Sequence, residues 1–256
     1  MRAAAFLCLL PVMGFGAAPP TTPELLRKTA ISLEGFWERL SAVDCVENVQ
    51  QVKLTPGGKV AHKQVSTFDY LVLLQLTGND ILVDESRAPI VEGKDDKSVP
   101  LLITNGFSTL LLIFHPVFQS AFEYSAPEAV EVEGAALLRV RFRHVAGARS
   151  PSVLKLRQRD YPVEWQGTAW IDPESGNIVR ISAELMPGME DLGLKTLSAD
   201  VRYGRVSFKE DPRVYWLPET ATIEVETARQ HWRNVHAFGK YKLFSVDVKS
   251  NVGEKQ

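Results

Sequence analysis

No part of this sequence constrains the fold more than residues 167–185, GTAWIDPESGNIVRISAEL. Thr168, Trp170 and Asp172 alternate with Ala169 and Ile171; further on, Val179, Ile181, Ala183 and Leu185 alternate with Arg180, Ser182 and Glu184. A period of two is what a strand with one buried face requires. Between the runs, Pro173 presets a turn and Gly176 supplies the left-handed residue that closes a longer hairpin loop. The chain must therefore build an antiparallel sheet around this hairpin.

Much of the remaining sequence has the same grammar. Residues 46–54 and 59–76 read as strands joined by the Pro56-Gly57-Gly58 turn, with Phe68, Tyr70, Val72, Leu74 and Leu76 on one face. A third strand follows at 81–85, completing a meander, and strands resume at residue 135. Residues 197–208 and 220–226 are two more, and 231–238 with 240–248 form a last pair. Residues 87–100, where Glu92, Lys94, Asp95, Asp96 and Lys97 crowd together, read as an exposed loop.

Two segments depart from this period. Thr21 with Glu24 forms a capping box, and Leu26, Ala30, Leu33, Trp37 and Leu40, joined by Phe36, recur at helical spacing up to residue 42. Residues 105–122 read as a second helix, apolar on every side at 110–114 and kinked by Pro116, hence buried. A long antiparallel sheet that does not close needs its inner face covered. The predicted fold is mainly β (α+β): a strongly curved antiparallel sheet, an unclosed half barrel of about ten strands, with two helical segments covering the concave face.

The N-terminus carries an export signal. Met1-Arg2 is positive, residues 3–12 are apolar, and small residues at 14–18 suit cleavage. The apolar run is shorter than the about 20 residues a spanning helix needs. The expected organisation is a cleaved signal peptide at 1–18, one curved-sheet domain over 19–250 and a frayed tail at 251–256. Export leads to the periplasm or the exterior. Without its signal the chain keeps one cysteine, Cys45, which rules out an internal disulfide and reads as a small buried hydrophobe at a strand start. A formal net charge of −2 gives no footprint for nucleic acid.

The signal, the amphipathic first helix, the long meandering strands, the Trp170-Ile171-Asp172 hairpin running to Arg180 and the late Leu217-Pro218 strand start together resemble the LolA/LolB superfamily of periplasmic lipoprotein carriers and receptors. The resemblance implies an unclosed antiparallel barrel lidded by helices, with an apolar cavity for acyl chains. It places no functional residue position by position.

The residues themselves offer little chemistry. No His-Glu-x-x-His, no zinc-like Cys/His spacing, no Gly-x-Ser-x-Gly elbow and no phosphate-binding glycine loop occurs, so no cofactor or metal is expected. The leading expectation is a non-catalytic envelope protein that holds a lipid, acyl chain or lipidated peptide between sheet and helices. Trp37, Phe68, Tyr70, Val72, Leu74, Leu111, Phe114 and Trp170 are the candidate lining residues. Each is first of all a core residue, and simple packing in a filled interior is the plainer reading for any one of them. Arg139, Arg141 and Arg143 share one strand face and could meet anionic head groups or an envelope protein partner; neutralisation by acidic neighbours such as Glu224 and Glu226 is the plainer reading. An envelope interaction protein and, more remotely, a hydrolase built from loops stay open at this stage.

Overall fold

The hairpin forms as its alternation dictates. The structure, a computed structural model, describes residues 19–77, 80–91, 106–156, 159–187 and 189–244. The expected signal peptide and tail lie outside these residues. Strands β1 (Val43–Leu54), β2 (Val60–Thr77) and β3 (Asp80–Val91) make the first meander. After the helical insertion come β4 (Phe122–Tyr124), β5 (Glu128–Val132), β6 (Ala135–His144), β7 (Val153–Leu156) and β8 (Arg159–Pro162). The hairpin itself is β9 (Trp165–Ile171) and β10 (Ile178–Leu185), followed by β11 (Leu194–Ser207), β12 (Val214–Thr227) and β13 (His231–Leu243).

Eleven of these strands form one antiparallel sheet in the order β3-β2-β1-β13-β12-β11-β10-β9-β6-β4, with β5 also on β6; β7 and β8 form a separate ribbon. The two ends, β3 and β4, do not pair, so the half barrel stays open as predicted. Strand β1 joins the first meander to the last strand through an eleven-position register from Val43↔Leu243 to Leu54↔His231. Residues 231–243 form one strand where two were expected. Lys240 absorbs the irregularity at φ 54° instead of breaking the strand.

Helix α1 (Thr22–Leu40) starts at the predicted box, where the Glu24 carboxylate accepts from the Thr21 backbone N–H at 2.8 Å. Its buried face is Leu25, Thr29, Ala30, Leu33, Phe36 and Leu40. Leu26 and Trp37, expected in that stripe, lie at its margin instead. The second helical segment is a 3-10 helix, Phe107–Phe114, followed after His115 by the short α2 (Pro116–Gln119). The break falls at the predicted proline, but Phe122, expected in the helix, begins β4. Among the described residues no helix is long and apolar enough to cross a membrane.

The hairpin turn also fixes α1 on the sheet. Asp172 Oδ1 accepts from the backbone N–H groups of Glu174 and Ser175 at 3.1 and 2.7 Å, which shapes the turn. From it the Pro173 carbonyl accepts from Lys28 Nζ at 2.6 Å, and the Asn177 side chain bonds Ser32. Gly176 sits between them at φ 74°, and a Cβ there would lie 3.0 Å from the Lys28 carbonyl carbon and oxygen. Both the backbone conformation and the space demand glycine. Gly176→Ala is expected to lower stability by about 1–3 kcal/mol in urea unfolding, whereas Glu174→Ala, on the exposed side of the same turn, stays within about 0.5 kcal/mol.

Candidate functional site

The concave face has a floor, a cover and a charged rim. Two cross-strand rows make the floor. One runs Val140, Ala169, Ile181, Val201, Ala221 and the other Phe142, Gly167, Ala183, Ala199, Ile223. Every one of these side chains with a Cβ is buried, and the middle of the second row is Gly-Ala-Ala. That row has a close approach built in: a Cβ on Gly167 would meet the Ser182 carbonyl oxygen at 2.0 Å and the Phe142 ring at 2.8 Å. Over this Gly and Ala patch the floor leaves depth that something else must fill.

The 3-10 helix fills it. Ser108 to Phe114 are all buried, and the segment lies against α1, α2, β10, β11 and β12. Eight residues is long for a 3-10 helix, whose runs usually stop at about 3–4 because the hydrogen-bond geometry is poorer. Side chains from the sheet and from α2 compensate by binding its backbone. Tyr203 donates to the Ser108 carbonyl at 3.1 Å, Tyr124 to the Ile113 carbonyl at 2.6 Å, and the Gln119 amide to the Phe114 carbonyl at 2.9 Å.

The rim lies where β1, β2, β3 and β13 face the start of this segment. Glu47 is completely buried. It accepts from Arg87 Nε at 2.5 Å and Nη2 at 3.0 Å, and shares a 2.7 Å bond with His236 Nδ1. Burial opposes its ionisation, but the hydrogen bonds from His236 and Arg87 outweigh that and hold its carboxyl below the ordinary glutamate value of 4.5. Arg87 also reaches Glu85 at 3.0 Å and lies over the Tyr70 ring, 4.9 Å from its centre. Glu85 in turn accepts from the Gly106 N–H at 2.7 Å and from Ser108 Oγ at 3.3 Å. A carboxylate can only accept, so Ser108 is the donor there, and the Tyr70 hydroxyl, 2.8 Å away, donates to Ser108 Oγ. The space left among these groups is about 10 Å³, room for one water at most.

The expected lining residues separate accordingly. Leu111 and Phe114 belong to the cover, Tyr70 and Val72 are buried on the inner face of β2, and Phe68, half-buried, stands opposite Glu47. Trp37 packs edge-on against Phe36, with centroids 5.0 Å apart, at the margin. The Leu74 side chain lies outside the described residues. Trp170 is a correction. It points to the outer face, opposite to Ala169 and Ile171, with the Arg180 guanidinium 4.8 Å from its ring centre. Arg87 is a second correction, since β3 continues through the stretch read as loop and carries it inward. Residues 92–100, the rest of that reading, lie outside the described residues.

Arg139, Arg141 and Arg143 do share the outer face of β6, and Arg141 and Arg143 line an open groove of about 510 Å³ together with Glu123 and Glu184. Arg139 bonds Glu128, and Arg141 stands 3.6 Å from the same carboxylate. The neutralising acid is Glu128 on the neighbouring strand, not Glu224 or Glu226, which pair with His231, Arg233 and Lys195. Cys45 is buried at the start of β1, and burial pushes its thiol up to about 12, which disfavours the reactive thiolate. Among the described residues no group of three or more His, Cys, Asp or Glu could hold a metal ion.

No family model and no curated protein matches the chain. Among solved structures it is similar to a LolA superfamily protein from Nitrosomonas europaea (8% identity, covering 89% of this chain and 95% of that one, TM-score 0.41). It is similar also to a DUF1329 family protein from Desulfovibrio piger (10%, 91% and 95%, TM-score 0.45). A third is an outer membrane lipoprotein-sorting protein domain from Vibrio parahaemolyticus (8%, 89% and 94%, TM-score 0.40). The first bears the name of the superfamily that the sequence resembles. Likenesses of this degree say nothing of what the chain binds.

The rim has a stability signature. A folded-state pKa below the ordinary value contributes stability that is present above that value and lost as pH falls through the folded one. In urea unfolding the advantage of the native protein over Glu47→Gln is therefore expected to be full near pH 7 and to shrink as pH drops below 4.5. Arg87→Ala, which leaves Glu47 buried beside one partner fewer, is expected to cost roughly 3–5 kcal/mol at pH 7.

Proposed function

We propose that this chain is an exported envelope protein that binds a lipid, an acyl chain or a lipidated peptide between its sheet and its helical cover, with no catalytic step. One observation carries the reading. The floor of the concave face has a patch of small residues, Gly167, Ala169, Ala183, Ala199 and Ala221, set among larger ones, and the depth above it is occupied by a buried apolar segment that is not part of any strand and whose backbone is bonded by side chains around it. A protein that only needed a solid core would reach the same density with large residues on the strands. The resemblance of the sequence to periplasmic lipoprotein carriers points the same way. In this account Leu111, Phe114 and their neighbours hold the site closed in the free protein, and a ligand takes their place on the floor.

Such a ligand competes with the segment, so its apparent affinity is set by how often the floor is uncovered. Leu111→Ala removes a buried side chain from the cover at a cost of about 2–5 kcal/mol and is expected to tighten binding of a fluorescent acyl-chain probe while lowering the melting temperature. Native mass spectrometry after mild extraction is expected to find lipid on part of the wild-type protein. A clean wild type, together with a folded Leu111→Ala protein that ignores the probe, contradicts the reading.

A further inference from the structure

The covering segment is chemically a template for what replaces it. Its side chains from Leu110 to Phe114 are apolar, but its beginning carries three polar groups, which make four hydrogen bonds to the sheet. Two donors, the Gly106 N–H and the Ser108 hydroxyl, converge on one oxygen of Glu85, at 2.7 and 3.3 Å. Two acceptors, Ser108 Oγ and the Ser108 carbonyl, receive the hydroxyls of Tyr70 and Tyr203 at 2.8 and 3.1 Å. Beside them the Trp165 indole N–H is buried without an acceptor, and its ring stands edge-on to Phe107 at 6.5 Å between centroids.

If a ligand displaces the segment, Glu85, Tyr70 and Tyr203 lose these partners at the edge of a dry, apolar floor. An unsatisfied buried polar group costs free energy comparable to a full desolvation penalty. The ligand must make the bonds good with its own head. Glu85 asks for N–H or O–H donors, and the two tyrosines and Trp165 ask for an oxygen that accepts. An anionic head offers Glu85 no donor and sets a second carboxylate or phosphate against it, and Arg87 is already engaged by Glu47 and Glu85.

Resting on the acyl-binding reading above, we infer that the ligand is an acyl compound with a neutral head that carries both a hydroxyl or amide N–H and a carbonyl, such as a monoacylglycerol or an N-acyl amide, and not a free fatty acid. Glu85 is the residue that discriminates. The two tyrosines orient the head through its acceptors.

The test is competition at pH 8 for a neutral fluorescent acyl probe, with 1-monolauroylglycerol and laurate as unlabelled competitors of equal chain length. Wild-type protein is expected to release the probe at about tenfold lower monolauroylglycerol than laurate concentration, the scale of one charge-assisted hydrogen bond gained or lost. Glu85→Gln keeps the shape but loses the charge and is expected to bring the two competitors to within about threefold. Tyr203→Phe, with the charge intact, is expected to weaken monolauroylglycerol and keep laurate weak. Equal displacement by both lipids in wild type, or a preference that Glu85→Gln leaves unchanged while thermal melts show it folded, overturns the inference and leaves the acyl-binding reading standing. Probe binding in neither wild type nor Leu111→Ala overturns both.

Discussion

An antiparallel sheet that curls without closing has one face it cannot leave to water, and everything else in this molecule follows from how that face is covered. Helix α1 supplies part of the cover and is pinned by the turn of the β9–β10 hairpin, through Lys28, Ser32 and the space left by Gly176. The deeper part falls to the 3-10 helix from Phe107 to Phe114. A segment of that length in 3-10 form has poor internal hydrogen bonds. Tyr203, Tyr124 and Gln119 complete its backbone, and Glu85 and Tyr70 hold its start. The cover is thus fastened at discrete polar points over an apolar floor.

The charged rim belongs to the same design. A fully buried carboxylate is tolerated only with near-complete pairing, and Glu47 has it from Arg87 and His236. Arg87 passes the connection on to Glu85, and Glu85 to the first residues of the cover. The first meander is therefore coupled to the covering segment through ion pairs that end in hydrogen bonds to Glu85, while the floor strands β9 to β12 carry no charge on their inner rows. Stability and closure share those residues.

How much of this could be read from sequence depends on the kind of interaction. Period-two patterns revealed the strands, the open curvature and the need for a cover, and Pro116 marked the break in the second helical segment. The capping box at Thr21 and Glu24 is local and was legible for that reason. What pattern could not supply was direction across the sheet. Trp170 has the right composition for a lining residue, yet its parity with Thr168 places it with Arg180 on the outer face. Arg87 sits among polar residues and reads as loop, because nothing local shows that β3 continues past it or that Glu47, forty positions earlier, waits across β2. The one available hint was Glu47 itself, which shares parity with the buried Val43, Cys45 and Val49 in β1. The role of the small floor residues was invisible in the same way, since Gly167, Ala183 and Ala199 become one row only through the register of three strands.

The central claim is that ligand and cover compete for the same floor, and hydrogen exchange measures that competition directly. With a saturating neutral acyl ligand, the amides of residues 107–114 are expected to exchange faster than in the free protein, while those of β9 to β12 keep or gain protection. A bound ligand that leaves the exchange of 107–114 unchanged, or slows it, contradicts the account.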